Sequence, residues 1–102
     1  MVILEIGSLI FEWDEAKSAS NLSKHGISFL EAASVFHDDL GLLKHDPTHS
    51  EGENRFLLIG ISLERRILTV VHVERGEHLR IISARAATPR ERRDYEQGSL
   101  GR

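Results

Sequence analysis

Cysteine is absent from the 102 residues, which excludes a disulfide framework, a thiolate metal site and a cysteine nucleophile. Such a composition suits a reducing cytoplasm. Proline occurs twice, and tryptophan and tyrosine once each. A lone Trp13 reads more readily as core than as a platform for stacking bases. No apolar run approaches the ~20 residues that a membrane span needs. The opening "MVILEIGSLIF" is apolar but short; it contains Glu5 and no basic flank, so it does not read as a signal peptide. Lysine is missing from the whole second half, where every base is arginine.

That last absence exposes an asymmetry hidden by the net charge of -3. Residues 1–54 carry ten acids and three bases, and residues 55–102 carry six acids and ten arginines. The halves sum to -7 and +4. Five of the arginines crowd into "RIISARAATPRERRDYE", Arg80 to Glu96. A guanidinium grips phosphate with two parallel hydrogen bonds, which an ammonium cannot do. The charge points to an anionic partner; a solvated face with local ion pairs would have the same composition.

The length allows one domain, 1–102. "LIFEW" (9–13) alternates like a short strand. Asp14 then caps a helix, "EAKSASNLSKH", stopped by Gly26, with Ala16, Ala19 and Leu22 as a narrow apolar stripe. Ser28 and Glu31 have the spacing of a capping box ahead of Phe29, Ala32, Ala33 and Phe36, one apolar helix face. "GLLKHDPTHSEGEN" then reads as strand entry followed by a polar loop around Pro47 and Gly52. Three strands are expected at 55–62, 66–74 and 78–85, with links short enough for antiparallel hairpins. Thr88, Pro89 and Glu91 open a last helix with a second capping box. Residues 1–9 read as an N-terminal extension and 98–102 as a frayed tail. The expected fold class is α+β: an antiparallel sheet of about four strands, two N-terminal helices and one C-terminal helix, with the helices on one sheet face and the other face open.

Three stretches, "FEWDEAKSASNLSKHGISFLEAASVF", "HSEGENRFLLIGIS" and "RIISARAATPRERRDYE", resemble the BrnT family of bacterial toxins over about residues 11–96. Trp13-Asp14, Lys24-His25-Gly26 and Ile82-Ser83-Ala84-Arg85, in that order, carry the resemblance. It implies a RelE-like fold and a cytoplasmic endoribonuclease that arrests translation. It also implies a BrnA-type antitoxin with a DNA-binding portion, a heterotetramer with two antitoxin chains, and repression of their own operon. The alternative is a non-catalytic antitoxin-binding module that acts only in that regulation.

An RNA-cleaving site without a metal needs a base near the 2'-hydroxyl, an acid near the leaving 5'-oxygen and cations around the transition state. The product would be a 2',3'-cyclic phosphate, because the nucleophile belongs to the RNA. Arg80 is the first candidate. Strand parity sets it with His78, Ile82 and Ala84, away from Leu79, Ile81 and Ser83; the competing reading is a cross-strand ion pair, with Glu74 as a candidate partner. Arg85 has the opposite parity and could equally anchor Asp14 or Glu91. His25 is a candidate acid or base, because imidazole is the side chain suited to proton transfer near neutral pH, and Lys24 a phosphate holder. Both also suit the negative end of a helix dipole. Arg55, Arg75, Arg92 and Arg93 are candidate RNA or antitoxin contacts. Tyr95 could donate a proton or simply pack, and Glu91 is assigned to capping. "HDPTH" (45–49) fits no strong metal pattern, so neither metal nor cofactor is expected.

Overall fold

The computed structural model describes residues 1–46 and 54–100. The chain runs β1 (Val2–Ile6), β2 (Leu9–Trp13), α1 (Glu15–His25), α2 (Phe29–Ser34), a 3-10 turn (Val35–His37), β3 (Leu42–His45), β4 (Arg55–Ile61), β5 (Ile67–Arg75), β6 (His78–Ala86) and α3 (Pro89–Leu100). The class is α+β as expected, but the sheet is larger. It has six strands in the order β1-β2-β6-β5-β4-β3. It is mixed, because β2 runs parallel to β6 while every other pair is antiparallel. The first nine residues supply one of the added strands: β1 folds onto β2 through Gly7, whose φ of +62 suits a two-residue hairpin. A hairpin therefore precedes the first two helices. The last helix continues through residues expected to fray. The loop around Pro47 and Gly52, and most of "HDPTH", fall outside the described residues.

Local signals set the helices. Asp14 accepts from the Lys17 amide at 3.1 Å, and Gly26, at φ +69, closes α1 by donating to Leu22. Thr88 and Glu91 form a complete capping box: each side chain accepts from the other's amide, at 3.1 and 2.9 Å. At α2 the box is half made. Ser28 accepts from the Glu31 amide, but the Glu31 carboxylate turns to Arg66 and Ser62.

One sheet face meets α1 and α2. Phe11, Trp13, Leu58, Leu68, Val70, Ile81 and Ala84 pack there against Ile27, Phe29, Ala32, Ala33 and Val35. Trp13 is core, edge-on to Phe29 at 6.2 Å. The opposite face was expected to be open throughout; instead α3 covers one part of it, where Tyr95 and Ala87 pack on Ile59. Around β1, β2 and the start of β6, no helix among the described residues lies on that second face.

A β-bulge at Ile82 settles which arginines share it. Val71 pairs with Ser83 and His72 with Ile81, so Ile82 is the extra residue. Past the bulge the parity reverses. Ile81 and Ala84 both point into the core, and Arg85, expected opposite to Arg80, joins it on the second face.

Two side chains finish strand edges that run past their neighbours. β2 pairs with β6 only as far as Arg80, and Asn21 takes over beyond it. Its amide donates to the Ala84 carbonyl (2.9 Å) and accepts from the Ala84 N–H (3.1 Å), as a neighbouring strand would, and donates to Ile27 (2.9 Å). Asn21 is thus what α1 buries; Leu22, from the expected apolar stripe, is exposed. Asp38 does the same for β4: Oδ2 accepts from the Ile61 amide at 2.9 Å and from the Tyr95 hydroxyl at 2.6 Å.

Candidate active site

On the uncovered part of the second face, one row of paired residues crosses the sheet: Arg55, Val73, Arg80, Glu12, Ile3. The next row toward the β5–β6 hairpin holds Arg75, His78 and Ile10. Gly76, at φ +63, takes the first central position of that hairpin and sets Arg75 beside His78. Three arginines and a histidine thus share this face with two carboxylates, the exposed Glu5 that follows Ile10 in the second row and a buried one between Arg80 and Ile3.

That carboxylate, Glu12, organises the patch. Its Oε2 accepts from Arg80 at 2.8 Å, its Oε1 lies 2.9 Å from His78 Nδ1, and Arg75 stands 3.9 Å away. The Glu12 side chain is only 9% exposed, Arg80 16%, His78 33% and Arg75 53%. Burial works to raise the Glu12 pKa. The hydrogen bonds from Arg80 and His78 and the charge of Arg75 outweigh it and hold the carboxyl below its usual range. Arg80 also approaches the Met1 sulfur at 3.7 Å. The expected ion pair of Arg80 is real, with Glu12 rather than Glu74 as its partner.

The other candidates lie elsewhere. Lys24 and His25 end α1 and, with Lys17, Ser20 and Asn21, line a shallow pocket of about 190 Å³ against Ile82 and Ser83. Arg85 makes a two-pronged pair with Glu91, at 2.6 and 3.0 Å. Glu91 also accepts from Thr69 and from the Thr88 amide, and these bonds, Arg85 foremost and against burial, lower its pKa to about 2. Arg92 and Arg93 are exposed on α3, and Tyr95 packs beneath it with its hydroxyl on Asp38. The structure therefore places the four expected catalytic residues in three locations. Arg80 is gathered with Glu12 and His78, which sequence reasoning had not assigned to the site. The available signal was the polar slot at Glu12 in an otherwise apolar strand, "LIFEW".

Among the described residues, no group of three His, Asp or Glu side chains is placed to hold a metal ion, and no helix is long and apolar enough to cross a membrane. The patch can bind an anion through Arg75 and Arg80, and it holds an imidazole against a carboxylate.

Comparison with known proteins adds an identity to this chemistry. A sequence model of the family described as ribonuclease toxin, BrnT, of type II toxin-antitoxin system matches residues 13–91. The fold is similar to the crystal structure of the Brucella abortus ribonuclease toxin, BrnT, at 29% identity and a TM-score of 0.55. That match covers 74% of this chain and 92% of the other. No curated protein sequence matches the chain.

Proposed function

Since the chain belongs to the BrnT family of ribonuclease toxins of type II toxin–antitoxin systems, we propose that it cleaves RNA without a metal, by attack of the substrate's own 2'-hydroxyl, at the open patch around Glu12 and Arg80. The observation that carries this reading is a buried, ionised carboxylate fixing a guanidinium and an imidazole side by side on a face open to solvent. Glu12 holds Arg80 in place before substrate arrives, so its remaining donors meet developing phosphoryl charge with little reorganisation. Arg75, mostly exposed, is a second phosphate contact, and Arg55 continues the row. Lys24 and His25 serve RNA from their pocket beside Ser83, as holders of a neighbouring phosphate or as a proton-transfer group. Arg85 anchors α3 through Glu91. Arg92 and Arg93 give weaker, salt-dependent contacts to RNA or antitoxin.

The protein acts in the cytoplasm and is silenced there by a BrnA-type antitoxin with a DNA-binding domain, in a heterotetramer. An acidic antitoxin segment would cover the arginines, so complex formation weakens as salt rises.

The test is to incubate the free protein with RNA and analyse the new ends. Cleavage with 2',3'-cyclic phosphate ends, unchanged by EDTA, is expected. Activity abolished by EDTA and restored by added metal would overturn metal independence. Intact RNA would leave a non-catalytic, antitoxin-binding module.

A further inference from the structure

We infer that His78 is the general base of the RNA-cleaving reaction and that Glu12 is its positioning residue. This rests on the proposed RNA cleavage and names the proton carrier within it. The choice between the two groups follows from their bonds. Both Glu12 oxygens are engaged, one by Arg80 and one by His78, and Arg75 adds a third positive neighbour. A carboxylate so surrounded stays ionised, and each of its oxygens already accepts within the protein. The imidazole is arranged the other way. Nδ1 faces an ionised carboxylate at 2.9 Å, so Nδ1 carries the proton and donates it to that bond. Nε2 is then the unprotonated ring nitrogen. No protein group among the described residues is bonded to it, and the ring is one-third exposed on the open face. An orienting carboxylate, an imidazole and an open Nε2 make a base held in one tautomer.

The step balances without a further reagent. The 2'-hydroxyl gives its proton to His78 Nε2 while its oxygen forms a bond to phosphorus. The bond from phosphorus to the 5'-oxygen breaks. The leaving 5'-oxygen takes a proton from solvent, and the imidazolium returns its own to solvent. Arg75 and Arg80 lie in the two rows beside the ring, where they meet the non-bridging oxygens.

The charged groups around the ring are Glu12 from β2, Arg80 from β6, Arg75 from β5 and, beyond Ile10 in the same row, Glu5 from β1, with Asp14 at the start of α1 acting on Arg80. His78→Gln, assayed on a defined RNA that the wild type cuts, should lower the cleavage rate 100-fold or more, the usual span of a lost acid–base group. His25→Ala should lose less. Glu12→Gln should lose rate and also lose the fixed Nδ1-protonated tautomer of His78 seen by 15N NMR, since the carboxylate is what holds the proton on that nitrogen. A merely structural role would leave the tautomer in place, and the measurement stands even if His78→Gln folds poorly. Near-wild-type cleavage by folded His78→Gln, a larger loss at His25→Ala, or an unchanged tautomer in Glu12→Gln overturns the inference while RNA cleavage stands. A wild type that cuts no RNA overturns the function itself, and this base with it.

Discussion

Two glutamate–arginine pairs sit on the same face of one sheet and are built for different ends. Glu91 and Arg85 form a closed unit: two parallel hydrogen bonds, a threonine hydroxyl and a backbone amide saturate the carboxylate, with α3 alongside. Glu12 and Arg80 form an open one. They share a single hydrogen bond, the second carboxylate oxygen goes to an imidazole one-third exposed, and among the described residues no helix covers them. The same two residue types thus brace a helix in one place and hold ready a proton acceptor and a cation in the other. The difference lies in what completes the carboxylate: hydroxyl and backbone in the closed pair, histidine in the open one.

The largest expected effect breaks the open pair. Arg80→Ala should reduce cleavage of a defined RNA about 100-fold or more, with antitoxin binding largely intact. Arg80→Lys should rescue poorly, because a point charge cannot replace a planar fork. Cleavage by variants shown folded in a thermal melt is the check; near-wild-type activity would move the catalytic arginine elsewhere, to Arg85 first.

Breaking the closed pair should cost stability instead. Glu91, lowered to about 2 in the folded chain, stabilises it at neutral pH. That contribution is present above the ordinary glutamate range and is lost as pH falls toward 2. With Arg85 partly exposed, Glu91→Ala should cost ~2 kcal/mol by urea titration at pH 7. The loss should shrink in acid, and the folded remainder should still cleave RNA.

A second histidine sharpens the contrast. His72 is buried on the other sheet face, edge-on to Phe36 at 4.8 Å and stacked near Phe56, and its Nδ1 makes no well-formed hydrogen bond among the described residues. Burial pushes its pKa down to about 4, the nearby Val70 backbone opposing it only in part. The folded state therefore resists protonation that the unfolded state accepts near 6.5. Stability is complete above that value and falls between pH 6.5 and 4, by at most ~3 kcal/mol. His72→Leu should remove this part of the acid sensitivity; a pH series of urea midpoints that keeps it would place the sensitivity elsewhere.

The smallest expected change is Thr88→Ala, about 1 kcal/mol through loss of the α3 cap, without loss of activity in the folded chain. An unchanged denaturant midpoint would count against the cap.

What the sequence made legible was local. Asp14, Gly26, Ser28 and Thr88 mark helix ends because a cap is satisfied within three or four residues, and Arg80 points away from the core as its alternation requires. What stayed hidden depends on distant chain. The parallel contact of β2 with β6 joins segments separated by two helices and three strands, so nothing near Glu12 tells that Arg80 and His78 will meet it. The bulge at Ile82 turns Arg85 over by one extra residue, with no glycine to announce it. Asn21 defeated the apolar-stripe reading because α1 rests on a strand edge, where hydrogen-bonding groups need partners more than the core needs another leucine.

The parallel contact also sets a clock on synthesis. Glu12 leaves the ribosome early, yet its arginine lies 68 residues later and the histidine 66. Contacts across so much chain form late, after the loops between them have closed. A chain interrupted before β6 has the carboxylate and neither of these partners. For a ribonuclease toxin of this family, the carboxylate meets its guanidinium and imidazole only after β6 has been made.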